Sequence, residues 1–555
     1  MLITFLAWIY ISLICYAWGM LFIKTLGKIT GNQAELGYGF CINCFIGLSV
    51  IAAIVQILSF FTGLNNLLVQ AFFLLPAVAG IFYYENPRLI IQRLRQFVQS
   101  IHPVIKFILS ASVLMVCVMS VYDIIHPDTI AYHAQSIKWA ERYHVIPGLA
   151  NVDYLYGLQN SWFLLCALFS FSFTGSSALT FINTSVVIWL LVFLSQKINE
   201  TIKKPGQVYA AFLWLLLLFV NLCTYTQIRL TATSASPDFI ATIYILLIFY
   251  LCSRYNTFST ASRLLVIYLC FFTLTIKLSA IPLLLVALYL LFPVNRIKVF
   301  SFLLMALIII GPFLLRNAFI SGYLFYPIAY PDIITADWKY DVNQLAYINH
   351  YITTFARTQN NLVAAGQSFN YWIKIWWQHL YLIDKILIVL ELLSIIVFVF
   401  NYKKIIAGNE RKKSLLFISL SGIIFWFLKA PDPRFGAGFL IAFPALVLYS
   451  EPFIQIISGI FSSRRPVILF SLLLGVALCI YITYRFINFF KPAEFLYPEG
   501  MKIHYKSVYY KQVKTAIPLI DDRNKNIEVV PDTTRSRLFN FRGTSVQQGF
   551  KSKEH

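Results

Sequence analysis

The stretch His126-Pro127-Asp128-Thr129 reads as a helix start, and behind it Asp128, Tyr132, Gln135 and Trp139 recur at helical spacing. A carboxylate, a phenol and an amide therefore share one face. Asp128 can serve as an N-cap, or, held as the anion at a helix N-terminus, as a base toward a hydroxyl nucleophile. Asp238 closes the run Ser-Ala-Ser-Pro-Asp ahead of an apolar stretch and admits the same two readings. Two such acids could share one site or a divalent cation. Asp123 and Asp153 are weaker candidates, each placed where a loop or the end of an apolar stretch is read. Three basic residues stand at the ends of apolar stretches: Lys277 in TLTIKLSAIP, Arg316 in GPFLLRNAFISGYLFYP and Arg434 in APDPRFGAG. Each can snorkel to an interface; together they would suit a phosphate, which Arg and Lys hold by charge-assisted hydrogen bonds.

The elements that must position these groups are set by composition. The chain has 555 residues, 59% hydrophobic and 12% charged, against roughly 25% charged for a soluble globular protein. Its mean hydropathy is +0.73. The net charge of +21 is not that of a nucleic-acid binder, because Lys and Arg fall in short runs between apolar stretches rather than on one surface. Apolar stretches long enough to cross a bilayer number about fourteen, giving an all-α polytopic membrane protein. The first, 2–23, reads as a retained span because it has no basic n-region and no small-residue cleavage site.

Basic residues occupy alternate short loops: Lys24 and Lys28, Arg88 to Arg95, Lys197 to Lys204, Arg254 and Arg263, Arg296 and Lys298, Lys403 to Lys413, and Arg464 with Arg465. The positive-inside rule makes those loops cytoplasmic. Both termini are then external, with the loops 122–160, 224–237 and 321–383, the turn 429–434 and the tail 486–555. All the candidate residues above lie on that face. Parity leaves no second crossing for Trp162–Phe173, which is expected to lie as a helix at the external surface. YWIKIWWQHL, 371–380, is expected to be an interfacial helix with its tryptophans in an aromatic belt. The tail, with IEVVP and RLFNFRG, is expected to form a small strand-containing appendage.

Other chemistries find little footing. All nine cysteines lie in or beside apolar stretches, which implies no disulfide framework, and Cys41 and Cys44 read as packing residues despite their CxxC spacing. The eight histidines lack a metal-ligand spacing, and no nucleotide-phosphate loop is present. Glu391, inside LIVLELLSII, is either half of a buried pair or a functional group.

From His126 onward the arrangement resembles the GT-C superfamily of lipid-carrier-dependent membrane glycosyltransferases, the group that includes protein O-mannosyltransferases and the aminoarabinose transferase of lipid A. RNAFISGYLFYP and PDPRF are similar to stretches those enzymes carry at the end of the seventh core span and in a later external turn. DTIAYHAQSIKWAERYHVIPGLANVDYLYGLQNSWF and LFNFRGTSVQQGF look like segments of a bacterial group of multi-span membrane proteins. The resemblance covers roughly residues 104–450. It implies a GT-C-like catalytic core over 104–450, with 1–103 as three additional spans, 451–485 as the last span and 486–555 as the external tail. It further implies transfer of a sugar from a polyprenyl-phosphate donor to a glycan or lipid acceptor on the non-cytoplasmic face of a bacterial inner membrane. Asp128 would be the catalytic base. Asp238, Tyr132 and His133 would orient the acceptor or a divalent cation held by Asp128 and Asp238, and Lys277, Arg316 and Arg434 would bind the donor phosphate. A single Asp128 followed by Thr129 departs from the paired acids usual in that first loop, which leaves a role for metal open. The competing readings are a transporter or flippase of a lipid-linked saccharide and a polysaccharide polymerase or ligase. No nucleotide is expected.

Overall fold

The computed structural model describes the chain apart from residues 32–37, 86, 122–123, 125, 175–177, 205–206, 224–229, 255–257, 293–295, 360–366, 407–409, 451–452, 455–462, 490–502, 511–512, 521–538 and 553–555. Asp123 and the IEVVP piece lie outside the described residues. Helices dominate: α1 (Leu2–Thr30), α2 (Phe40–Leu58), α3 (Leu67–Tyr84), α4 (Pro87–Ser100), α5 (Pro103–Ser120), the short α6 (Ala134–Arg142) and α7 (Ser161–Leu168), α8 (Phe181–Ile202), α9 (Val208–Cys223), α10 (Asp238–Arg254), α11 (Thr260–Ile276), α12 (Leu283–Leu291) and α13 (Arg296–Ser321). Then follow α14 (Val342–Thr358), α15 (Phe369–His379), α16 (Leu382–Ile406), α17 (Glu410–Lys429), α18 (Pro433–Leu448) and α19 (Arg465–Phe489). Two antiparallel hairpins end the chain, β1 (Ile503–Tyr510) with β2 (Val513–Ile520), and β3 (Phe539–Phe541) with β4 (Phe550–Ser552).

Among the described residues seven helices are long and apolar enough to cross a bilayer: α1, α2, α3, α5, α8, α13 and α19. They are compatible with an integral membrane protein. So are the large apolar side chains that point outward, such as Leu68 and Phe82 on α3, Phe300 and Leu307 on α13, and Ile480 on α19, all well exposed. Water disfavours such outward apolar surface, and lipid would cover it.

Helix association inside the bundle relies on close backbone approach rather than on hydrophobic contrast. The extreme case is α1 against α2. A Cβ on Gly47 would lie 1.7 Å from the Cys15 carbonyl oxygen, and one on Gly19 would lie 1.9 Å from that of Asn43. Cys15, Cys41 and Cys44 are buried free thiols of this packing.

A second, smaller core sits where the loops gather. Trp139, Val145, Ile146 and Leu149 pack there with Ile320 and Tyr323 from the end of α13, Tyr340 and Leu345 from the loop and helix beyond it, and Phe539 and Phe550 from the last hairpin. RLFNFRG thus supplies β3, as a strand-containing tail requires. The Phe550 amide donates to the Pro147 carbonyl at 3.0 Å. Gly148, at φ 69°, brings its backbone so close that a Cβ would meet the Phe550 oxygen at 2.0 Å. Arg542 pairs with Asp337 at 2.8 Å and lies over the Trp338 ring. The hairpin therefore clasps the segment after α6 to the long loop after α13.

Two expectations change. The stretch from Trp162 does form a short helix, α7, but all eight of its residues are buried. It packs against α2, α6, α8 and α11 instead of lying on a lipid surface, as its uniformly apolar composition allows. The helix over 369–379 is present and amphipathic, yet Trp372 and Trp376 are buried against protein, and Trp377 alone of its three tryptophans is exposed.

Gly47→Val is expected to lower the thermal unfolding midpoint of the detergent-purified protein, by the equivalent of about 1–3 kcal/mol or more for overpacking; an unchanged midpoint would contradict the α1–α2 contact. Phe550→Ala empties a buried ring site, for which a loss of about 3–5 kcal/mol is typical. Limited proteolysis of that variant should cut within 321–341 faster than in the wild type.

Candidate active site

Arg434 is the hub around which the predicted residues gather. It is the second residue of α18, whose start is written locally: Asp432 caps the helix by accepting the Arg434 amide at 3.0 Å, and Pro433 fills the first helical position. The same carboxylate takes the Arg434 guanidinium through Nε at 3.2 Å and Nη2 at 3.1 Å. The turn itself is fixed by two indoles, Trp376 donating to the Pro431 carbonyl at 2.6 Å and Trp426 to that of Asp432 at 2.7 Å. Trp376, read in the sequence as part of an interfacial belt, thus helps hold the turn that aims Arg434.

The remaining amine of Arg434, Nη1, faces Asp128 Oδ2 at 3.6 Å, Asp238 Oδ2 at 3.9 Å and His126 Nε2 at 3.4 Å. Asp238 forms an ion pair with Lys277 as well, and the Lys277 ammonium lies 3.7 Å from the centre of the Phe435 ring, a cation–π contact. Burial draws Lys277 below the ordinary ammonium range, although Asp238 opposes the shift. Neither aspartate caps its helix. The Asp128 side chain makes no cap bond, and His126 Nδ1 receives the Thr129 amide at 3.2 Å instead. Ser236 Oγ accepts the Asp238 amide at 3.3 Å. Both carboxylates are thereby free to face the cluster. Asp128 is the open one, its side chain 37% exposed against 7% for Asp238 and 17% for Asp432.

Residues Thr129–His133 form a π turn that runs into α6, a feature frequent at functional sites. The Thr129 hydroxyl lies 3.3 Å from His126 Nδ1 and 2.9 Å from His133 Nδ1, and the two imidazoles stack at 5.4 Å. Tyr132 crosses His133 edge-on at 4.4 Å. α6 is almost wholly enclosed, and a charge pair is buried with it: Lys138 bonds Glu141 at 2.8 Å, and Ser172 donates to the same carboxylate at 2.8 Å. A buried pair with its remaining valence satisfied locks the orientation of the segment that carries Asp128.

Asp128, Tyr132, His133, Asp238, Lys277 and Arg434 are thus brought together, and Arg316 is not: its guanidinium donates to Ser59 Oγ at 3.0 Å, at the end of α2. Asp153 caps the short turn Tyr154–Gly157 by accepting the Leu155 amide at 3.0 Å. Asp432 and His126 join the site without having been singled out in the sequence. The Asp-Pro pair opening an apolar stretch is the signal that could have found Asp432. A divalent ion bridging Asp128 and Asp238 does not fit, because Arg434 Nη1 already stands between them. Among the described residues no three His, Cys, Asp or Glu side chains are placed to hold a metal ion. What the arrangement offers is one accessible carboxylate beside two paired cations.

Burial holds His133 well below, and His126 below, the ordinary imidazole value of 6.5, and Arg434 pushes the same way. At neutral pH both are uncharged. Below about pH 6.5 the unfolded chain takes up protons that the native site resists, so the stability held above that pH is lost as pH falls. The thermal midpoint is expected to drop between about pH 7 and pH 5, and less steeply in His133→Asn.

No curated protein and no solved structure matches this chain. A family model described as "Domain of unknown function (DUF8201)" matches residues 1–441, and the chain belongs to that family.

Proposed function

We propose that the protein transfers a sugar from a polyprenyl-phosphate donor to an acceptor hydroxyl on the external face of a bacterial inner membrane. In this reading about fourteen segments cross the bilayer, helices α9 to α12 and α16 to α18 included, and both termini and the Arg434 cluster are external. Asp128 takes the proton of the acceptor hydroxyl, the oxygen attacks the anomeric carbon from the side opposite the leaving group, and the polyprenyl phosphate departs with the bonding electrons, inverting the centre. Lys277 and Arg434 stabilise the charge that grows on that phosphate. Asp238 fixes the two cations, and Tyr132 and His133 shape the acceptor side.

The observation that carries this reading is the contrast among the acids. Asp238 and Asp432 are shut in and committed to cations, whereas Asp128 is open, does not cap its helix and stands beside the same guanidinium. A buried acid whose two oxygens have no hydrogen-bond partner among the described residues, Glu391 on α16, favours a second reading, transport of a lipid-linked saccharide.

Asp128→Asn is expected to abolish transfer, a loss of about 10²-fold or more for a general base, with the elution profile and thermal midpoint of the wild type. Mass spectrometry of lipid-linked sugars and surface glycans checks it: a polyprenyl-phosphate sugar should accumulate on the outer leaflet while one glycan lacks a residue. Carrier-linked material trapped on the cytoplasmic leaflet would replace this reading with the transporter.

A further inference from the structure

A cleft of about 290 Å³ lies where the turn between α2 and α3, the end of α6 and the segment after α7 come together. That is near the lower end of the roughly 300–1,000 Å³ usual for small-molecule sites. Its walls are braced from behind. The Leu64 and Asn65 amides of the turn donate to the Ala140 and Glu141 carbonyls at the end of α6, at 2.9 and 3.2 Å. The Asn65 side-chain amide donates to the Ala167 carbonyl and to Ser170 Oγ, both at 2.7 Å, and its oxygen accepts the Phe173 amide at 2.8 Å. Three separate segments are thus tied into one wall.

The bracing uses up donors and leaves acceptors. Ser172 gives its hydroxyl proton to the Glu141 carboxylate at 2.8 Å, and Thr62 gives its own to the Gly63 carbonyl at 3.1 Å. Both hydroxyl oxygens keep lone pairs that can accept. So does Asn66 Oδ1, which takes the Val69 amide at 3.0 Å and has a second lone pair. A ligand seated here must therefore donate several hydrogen bonds. A phosphate diester or a carboxylate has none to give, and an ammonium group would meet Arg142 in the lining and Lys138 behind Glu141. A hydrocarbon chain would take water from these oxygens and return no hydrogen bond. What fits is a neutral molecule whose hydroxyls each donate and accept. Phe173, 40% exposed, is the one apolar side chain among the described residues of the lining, and it gives the C–H side of a sugar ring a surface to rest on. Glu141 lies thirteen residues beyond Asp128 along the π turn and α6, roughly 20 Å by helical rise. The cleft is therefore separate from the Arg434 cluster.

We infer that this cleft binds one neutral sugar residue of a glycan, through Thr62, Asn66, Ser172 and Phe173. The inference deepens the transfer reading and rests on it for one point, that the glycan is the acceptor. That acceptor is then an oligosaccharide several residues long, gripped here and extended beside Asp128, rather than a lipid.

The test is saturation-transfer NMR on the full chain in lauryldimethylamine oxide, a detergent without a sugar headgroup, with maltotriose, mannotriose and N-acetylchitotriose as probes. Binding is read directly because sugars raise thermal midpoints by exclusion from any protein surface. Transfer to at least one trisaccharide is expected. Thr62→Val and Phe173→Ala should each raise its apparent Kd about fivefold, as the loss of one neutral hydrogen bond or one aromatic contact would, while eluting and melting like the wild type. Asp128→Asn should bind like the wild type whatever it does to transfer, so that failure of this inference and failure of the transfer reading are told apart. No signal from any probe overturns the inference, as do undiminished binding in both cleft variants and displacement of the sugar by inorganic phosphate at constant ionic strength. A signal lost in Asp128→Asn but kept in the cleft variants puts the sugar in the Arg434 cluster, which overturns the inference and leaves the transfer reading in place. Should Phe173→Ala fail to fold, Thr62→Val decides alone.

Discussion

One guanidinium, that of Arg434, joins parts of the chain that are far apart in sequence. Its Nε and Nη2 are taken by Asp432 in its own turn, and its Nη1 faces Asp128 from the first polar loop and Asp238 from the start of α10. Arg suits this role because its donors are fixed in a plane and its charge cannot be titrated away. The aspartates would repel one another in so enclosed a place without it. Removing the guanidinium would therefore leave several carboxylates facing each other, with Lys277 as the remaining cation beside Asp238.

Such a hub works only if it is aimed, and the turn that carries it is held by groups with no charge. The indoles of Trp376 and Trp426 hold successive carbonyls of the turn that launches α18. On the opposite side, the buried Lys138–Glu141 pair and its Ser172 donor set the roll of α6, and the histidine–threonine contacts shape the π turn before it. The exposed carboxylate of Asp128 is thus mounted on a segment with little freedom to relax. Preorganisation of this kind lets a polar site act without rearranging at the moment of reaction.

Much of this was legible in the sequence, for a physical reason. A bilayer forces polar residues to the ends of apolar stretches, so Asp128, Asp238, Lys277 and Arg434 stood out by their setting and by the face they shared. What a hydropathy pattern cannot give is position within the plane of that face. Arg316 stands at the right end of its helix but beside Ser59 rather than Asp238. Trp162–Phe173 was too short to cross, yet nothing in its pattern distinguishes a helix resting on lipid from one roofed by protein. The amphipathic face of 369–379 was likewise plain, while its partner, a turn of this same chain, was not. Asp432 was hidden in plain view, because an Asp before a Pro announces a helix cap and only the fold reveals that the cap also holds the arginine.

The clasp made by the last hairpin has a consequence for how the molecule comes into being. Phe539 and Phe550 complete a core whose other walls, Trp139 to Leu149 and Ile320 to Leu345, are laid down earlier in the chain, the first long before the second. At an elongation rate of roughly 5–20 residues per second, the later wall waits on the order of 10–40 s and the earlier one on the order of 20–80 s for the final pieces. During that interval the helices can already be seated while the loop region stays unsealed. Maturation is thus timed by the ribosome: a nascent protein can be inserted and long-lived well before it is finished.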